Sequence, residues 1–290
     1  MLGRVRVSLV LLCVLVSASR VVVADDAAQV AGPAPAIPAR IVSLAPSVTE
    51  TLFALGAGSR VVAVSDYCDY PPEVTALPRV GSFNAPNVEA VLAARPDVVI
   101  GMPSPGNHEN VLTLRRLGVR VEVVDADRLA ELPAVTRRIA EIAGVPEAGA
   151  RLVAGMTRDL DAVRRKVAGA PKPRALVLVG QDPLIAAGPK SFLGEMLAEA
   201  GAVNVAPAND SWPHLNVEVV IAADPEVIVD CSMGTEAGTA ARDYWTRFPS
   251  LTAVKNGRVY PFTAFEALRP GPRIAIALEE LARLIHPERF

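Results

Sequence analysis

A fourteen-residue unit occurs twice in this chain, at an offset of 129 residues, and it limits the fold more than any other feature. The first copy runs from Asn87-Val88-Glu89 through Arg95-Pro96-Asp97 to Ile100. The second runs from Asn216-Val217-Glu218 through Asp224-Pro225-Glu226 to Val229, with 8 of 14 positions identical. Each copy reads as a short helix followed by a buried strand. Asn is a good N-cap, and Glu in the first turn suits the positive end of the helix dipole. The residue before Pro is driven out of the helical region, so the helix stops there. The Val- and Ile-rich run that follows is the pattern of a strand covered on both faces. Chance similarity between two helix-Pro-strand units is the alternative. The shared Asn-Val-Glu start favours two related α/β lobes, each carrying a carboxylate at the matching place.

The rest of the chain fits that frame. Its 290 residues suit two domains better than one, and 51% are hydrophobic, enough for a core in each lobe. Arg40 to Leu44, Val61 to Val64, Val119 to Val124, Arg174 to Val179 and Arg258 to Phe262 read as further strands. Helices are predicted from a capping box at Ser47-Val48-Thr49-Glu50, and over Ser191 to Ala200, Ala240 to Phe248 and Arg273 to Ile285. Alternating strands and helices predict mostly parallel sheets with helices on both faces. Pro146 to Ala168 keeps a helical apolar period (Leu152, Val153, Met156, Leu160, Val163), long enough to join two lobes. The expected organisation is a signal peptide over 1–24, a flexible Ala/Pro-rich leader over 25–39, an N-terminal lobe over 40–145, a connecting helix over 146–169 and a C-terminal lobe over 170–290. The fold class is therefore two doubly wound α/β lobes joined by one long helix, with a ligand cleft between them.

Arg4 and Arg6 precede the apolar run Val7 to Val16, and Val22-Val23-Ala24 offers small residues at cleavage spacing. This predicts a soluble exported protein in the periplasm rather than a lipoprotein, since no lipoprotein cleavage box precedes Cys13. Removing the signal peptide leaves 26 Lys and Arg against 31 Asp and Glu, which argues against a nonspecific nucleic-acid binder. Cys68 and Cys231 remain. Export permits a disulfide between them, but free thiols are the default expectation.

Open α/β sheets bind ligands beyond the carboxyl ends of their strands. The loops there carry Tyr67, Tyr70, Phe83, Met102, Trp212, Phe262 and Phe265, although aromatics are only 4% of the chain. Such a lining suits a large, flat, partly apolar ligand, with Asp66, Glu266 and Arg269 as polar anchors. The alternative is that these side chains only fill the gap between lobes. The three His (His108, His214, His286) lack metal-ligand spacing, and a role for Cys68 at a cofactor metal is a weak option beside its acidic neighbours. No nucleophile elbow, Walker A loop, zinc-protease motif or dinucleotide fingerprint occurs.

Several stretches together resemble a known family. They are Arg40 to Glu50, the Ser65-Asp66-Tyr67-Cys68-Asp69-Tyr70-Pro71-Pro72 loop, the two Asn-Val-Glu units and Arg269-Pro270-Gly271-Pro272-Arg273. They resemble the periplasmic cobalamin-binding proteins of ABC importers, within the wider cobalamin, haem and ferric-siderophore group. The resemblance covers Arg40 to the C-terminus and implies a rigid two-lobed binder. It implies ligand contacts at Tyr67, Phe83, Met102, Trp212 and the segment Phe265, Glu266, Ala267, Leu268 and Arg269. Phe83 stands where cobalamin binders carry Trp, and Met102 replaces an aromatic. Glu89 and Glu218 match glutamates that dock on permease arginines. No catalytic residue, metal site or resident cofactor is expected; cobalamin is the transported ligand. The implied partners are a corrinoid and an ABC permease dimer with its ATPase subunits, the protein itself being a monomer that meets the membrane only through the permease. Haem or a ferric siderophore is the alternative ligand, and an exported hydrolase-like enzyme using His108 or His214 as base is the alternative class.

Overall fold

A computed structural model describes residues 37–232, 243–262 and 269–290, so the expected signal peptide and most of the leader lie outside the described residues. Two α/β lobes are present. The N-terminal sheet contains β1 (Ile41–Ser43), β2 (Val61–Val64), β3 (Val98–Gly101) and β4 (Val121–Val123), all parallel in the order β2-β1-β3-β4. The C-terminal sheet contains β5 (Arg174–Gln181), β6 (Leu184–Ala186), β7 (Val203–Asn204), β8 (Val227–Asp230) and β9 (Val259–Pro261). Its order is β6-β5-β8-β9, with β7 parallel to β5 and β6 antiparallel to it. Taking β7, β5, β8 and β9 as the counterparts of β2, β1, β3 and β4 gives one strand order in both lobes. The hairpin to β6 is an addition that the sequence reading missed, because it ended β5 at Val179.

The repeated unit forms equivalent structures. Helix α1 spans Pro46–Ala54, α2 spans Val88–Ala93 and α3 spans His108–Arg116. Then come α4 (Leu132–Ile142), α5 (Pro146–Val167), α6 (Phe192–Glu199) and α7 (Val217–Ala223). Asn87 and Asn216 cap α2 and α7, accepting from the Ala90 and Val219 N–H groups at 3.0 and 2.9 Å. The residues before the two prolines, Arg95 (φ 46°) and Asp224 (φ 36°), are both left-handed, so the steric conflict with Pro is resolved identically twice. Each unit is also latched to the first strand of its lobe. Arg40 donates to the Ala94 and Arg95 carbonyls, and Arg174 donates to the Ala223 carbonyl. Asp97 takes the Ala39 and Arg40 N–H groups at 2.7 and 2.8 Å, while Glu226 takes the Arg174 N–H at 2.8 Å. The strands beside them pair in matching register, Ile41 with Val98 and Ala175 with Val227.

One sequence expectation is corrected at α1. Ser47 to Glu50 is not a capping box: Ala45 is the N-cap, without a side-chain bond, and Pro46 takes the first helical position. Pro fits there because the first N–H has no helical partner. Thr49 instead bonds Ser43 Oγ at 2.7 Å, and Glu50 is buried. Of the predicted helix Ala240 to Phe248, residues 243–246 are helical and 240–242 lie outside the described residues.

The 22-residue α5 lies between the two sheets in sequence and packs against α4 and against the C-terminal helix Ile274–Ile285. Both lobe cores reach it: Leu152 touches the N-terminal core, while Met156, Leu160 and Val163 belong to the C-terminal one. Ala126, Leu129 and Leu132 also lie in the C-terminal core, so the connection between lobes includes this earlier run as well as α5. No helix among the described residues is long and apolar enough to cross a membrane.

Candidate functional site

Two adjoining cavities, of about 850 and 670 Å³, open between the lobes beyond the strand ends. Phe83, Asp127, Arg269 and Pro270 line both. Tyr67 and Met102 line the N-terminal cavity, and Trp212 lines the C-terminal one. The described sequence-predicted ligand residues Tyr67, Phe83, Met102, Trp212 and Arg269 therefore come together. Phe265, Glu266, Ala267 and Leu268 lie outside the described residues.

Buried polar groups fix these loops. Asn107 is 3% exposed and donates through Nδ2 to the Phe83 and Met102 carbonyls at 3.0 and 2.9 Å, tying two cleft loops together. Arg79 donates to the Ser65 and Cys68 carbonyls at 3.0 and 2.6 Å, holding the loop that presents Tyr67. Trp212 sits in an Asp210 turn, its N–H bonded to Oδ1 at 3.1 Å. Gly188 lies so near this turn that a Cβ there would stand 2.1 Å from the Asp210 carbonyl oxygen. Tyr67 and Trp212 remain 59% and 44% exposed, leaving apolar faces open to the cleft.

A charge network closes one edge. Arg269 donates to both Asp69 oxygens at 2.6 and 3.1 Å and approaches Glu50 at 3.3 Å. Arg273 grips the same Glu50 through two bonds of 2.8 and 2.7 Å. The hydrogen bond from Arg269 holds the Asp69 carboxyl below its usual range.

Several candidates fall elsewhere. Tyr70 lies under the Arg273 guanidinium, 4.0 Å from its ring centroid, and lines a separate small cavity with Glu50 and Phe53. Phe262 is buried in the C-terminal core. Asp66, His108 and His214 line neither cleft cavity. Cys68 is buried and bonded to the Thr49 and Ser65 hydroxyls, and burial pushes its thiol pKa up, so it does not face the ligand space. Cys68 and Cys231 are both free, so no disulfide pins the lobes. Among the described residues, no group of three or more His, Cys, Asp or Glu could hold a metal ion.

Sequence reasoning missed Asp125, Asp127, Arg128 and Lys190, which also line the cleft. The first three follow β4, a strand end to which the same rule applied. Lys190 follows the unrecognised β6.

Two similar lobes with an aromatic-lined cavity between them have the architecture of a solute-binding protein. The periplasmic binding protein family matches residues 41–264, and the chain belongs to that family. It is 32% identical over 260 residues to an uncharacterized ABC transporter substrate-binding lipoprotein, YvrC, of Bacillus subtilis, covering 87% of this chain and 82% of that one. It is 30% identical over 244 residues to the vitamin B12-binding protein of Vibrio cholerae, covering 83% and 87%. The periplasmic heme-binding protein RhuT from Roseiflexus superposes with a TM-score of 0.77 at 31% identity, covering 87% of this chain and 99% of that one. The family and these relatives are binding proteins, not enzymes, which removes the hydrolase alternative.

Proposed function

We propose that this protein captures cobalamin between its lobes and delivers it to an ABC-type import permease. The observation that carries the reading is the pair of adjoining cavities, into which both lobes present Tyr67, Phe83, Met102 and Trp212. Flat apolar and aromatic faces on two walls suit a broad corrin ring better than a small polar solute. The likeness to a vitamin B12-binding protein supports the same ligand. Arg269 and the adjoining segment Phe265 to Leu268 complete the assigned contacts. The protein needs no resident cofactor; cobalamin is its cargo. It works in the periplasm after removal of residues 1–24, as two lobes, 40–145 and 170–290, around the helix of 146–169.

Glu89 and Glu218 are the assigned docking points for the permease dimer. Both are exposed at the first turn of matching helices, α2 and α7, and neither joins an ion pair among the described residues. Exposed Leu92 on α2 and Val219 and Ile221 on α7 supply apolar area beside them. Two equivalent carboxylates suit two equivalent arginine sites on a two-fold partner.

Visible-absorption and calorimetric titrations with cyanocobalamin and haemin test the ligand. Cyanocobalamin should bind the more tightly, and Trp212→Ala should weaken it about tenfold, as loss of one well-packed aromatic contact does. Preference for haemin would reject the corrinoid. The Glu89→Ala, Glu218→Ala pair should depress permease-coupled uptake and leave the Kd for cyanocobalamin unchanged.

A further inference from the structure

The cleft has charged walls of unlike sign, and the N-terminal wall is acidic. Asp125 and Asp127 line the N-terminal cavity, Asp127 lines both, and neither joins an ion pair among the described residues. Two of the three cations lining the cleft are already engaged. Arg269 faces both cavities but is held by Asp69 at 2.6 Å and Glu50 at 3.3 Å. Arg128 pairs with Glu195 at 2.6 Å. Lys190 lines the C-terminal cavity alone and joins no ion pair among the described residues. One unengaged cation on the far wall therefore matches one anionic group of a ligand. A second anionic group would lie toward two carboxylates.

We propose that Asp125 and Asp127 set the charge class of ligand the cleft accepts: amide-rich metal chelates with at most one anionic group, against dianionic ones. The proposal rests on the reading of the cavities as the ligand site. An amide N–H directed at the N-terminal wall gains a charged acceptor, and such bonds are the strong ones. A carboxylate directed there meets like charge, unrelieved by a free partner. The wall already carries repulsion of its own. Burial raises the Asp125 pKa, and Asp127 and Glu131 add to the rise, so further negative charge is unwelcome. The aromatic lining is indifferent to this distinction, since a porphyrin and a corrin both offer broad apolar faces. Charge on the wall is what separates them.

The test titrates the full chain and its Asp125→Asn, Asp127→Asn double variant with haemin, haemin dimethyl ester and cyanocobalamin. In the unaltered protein the dimethyl ester, which lacks the two propionate charges, should bind about tenfold more tightly than haemin. In the double variant haemin should gain about tenfold and the ester advantage should vanish, while cyanocobalamin, whose amides lose their charged acceptors, should bind about threefold to tenfold more weakly. The single variants, with thermal unfolding as a check, separate a charge effect from a misfolded wall. An unchanged ratio of haemin to cyanocobalamin affinity in the folded variants, or no ester advantage in the parent, overturns the proposal. Tighter haemin than cyanocobalamin binding in the parent would reject the corrinoid reading instead, with the ester comparison still reporting on the charge filter.

Discussion

Each lobe reaches across to the other with a glutamate from its first helix, and the two grips are unequal. Glu50 on α1 holds Arg269 and Arg273, which follow the last strand of the C-terminal lobe. Glu195 on α6 holds the Arg128 side chain at 2.6 Å and the Leu129 N–H at 2.8 Å, just after the last strand of the N-terminal lobe. The topology is the same and the environment is not. The Glu50 side chain is 2% exposed between guanidinium groups 19% and 21% exposed, whereas Glu195 meets an Arg128 that is 63% exposed. A desolvated carboxylate fixed by two arginines depends on its partners far more than a half-wet pair does. The strong grip sits where Arg269 lines both cavities, and the weak one where Arg128 lines the C-terminal cavity. The ligand space is therefore held more firmly at Arg269 than at Arg128.

Removing Glu50 should have the largest effect. Glu50→Ala takes the carboxylate from both guanidinium groups and should cost about 3 kcal/mol in urea unfolding. That is the low end for breaking a buried pair, because Arg269 keeps Asp69. Glu195→Ala should cost about 1 kcal/mol, the scale of one charged hydrogen bond plus a partly exposed ion pair. Equal losses in the two variants would mean that burial does not set the difference.

These grips could not be read from the sequence. Arg273 and Glu50 are 223 residues apart, and Arg128 and Glu195 are 67 apart, with no local pattern to link them. What was legible was local. Asn, Glu, Pro and the β-branched run specify cap, first turn, stop and strand within fourteen residues, and both copies fold as those rules require. The Arg40 and Arg174 latches were in plain view but needed the strand pairing to acquire meaning. The capping-box reading at Ser47 failed because Pro46 begins the helix two residues earlier, freeing Glu50 for a tertiary partner. In the cleft, aromatic loop residues were found because such residues are rare in this chain. Asp125 and Asp127 went unnoticed because acidic loop residues are common, and their meaning comes only from the cavity they line.

The repeated unit offers the opposite test, where the lobes should behave alike. Asn87→Ala and Asn216→Ala each remove one N-cap bond of nearly the same length on helices of six and seven residues. Each should cost about 1 kcal/mol, and the double variant should cost their sum, since the caps share no partner. A clear inequality would show that one copy is held in place by its surroundings; the bonds from Thr252 to Asp224, which close the end of α7, make the second copy the one to suspect.

The smallest effect belongs to Asp69, the exposed member of the strong grip. The Arg269 hydrogen bond lowers its folded pKa below the ordinary 3.8, against an opposing push from burial. A carboxylate with a depressed folded pKa stabilises the fold above its unfolded pKa, and the contribution disappears as pH falls through the folded value. Nothing should therefore change between neutral pH and about pH 4 on this account. With its side chain 53% exposed, Asp69 is screened by water, and its share should stay below about 1 kcal/mol. Stability curves of the parent and Asp69→Asn should run parallel at neutral pH, offset by that amount, and converge below pH 4; added salt should narrow the offset. Curves that diverge on acidification would reverse the sign. They would move the pH sensitivity of this edge from Asp69 to another group in the network.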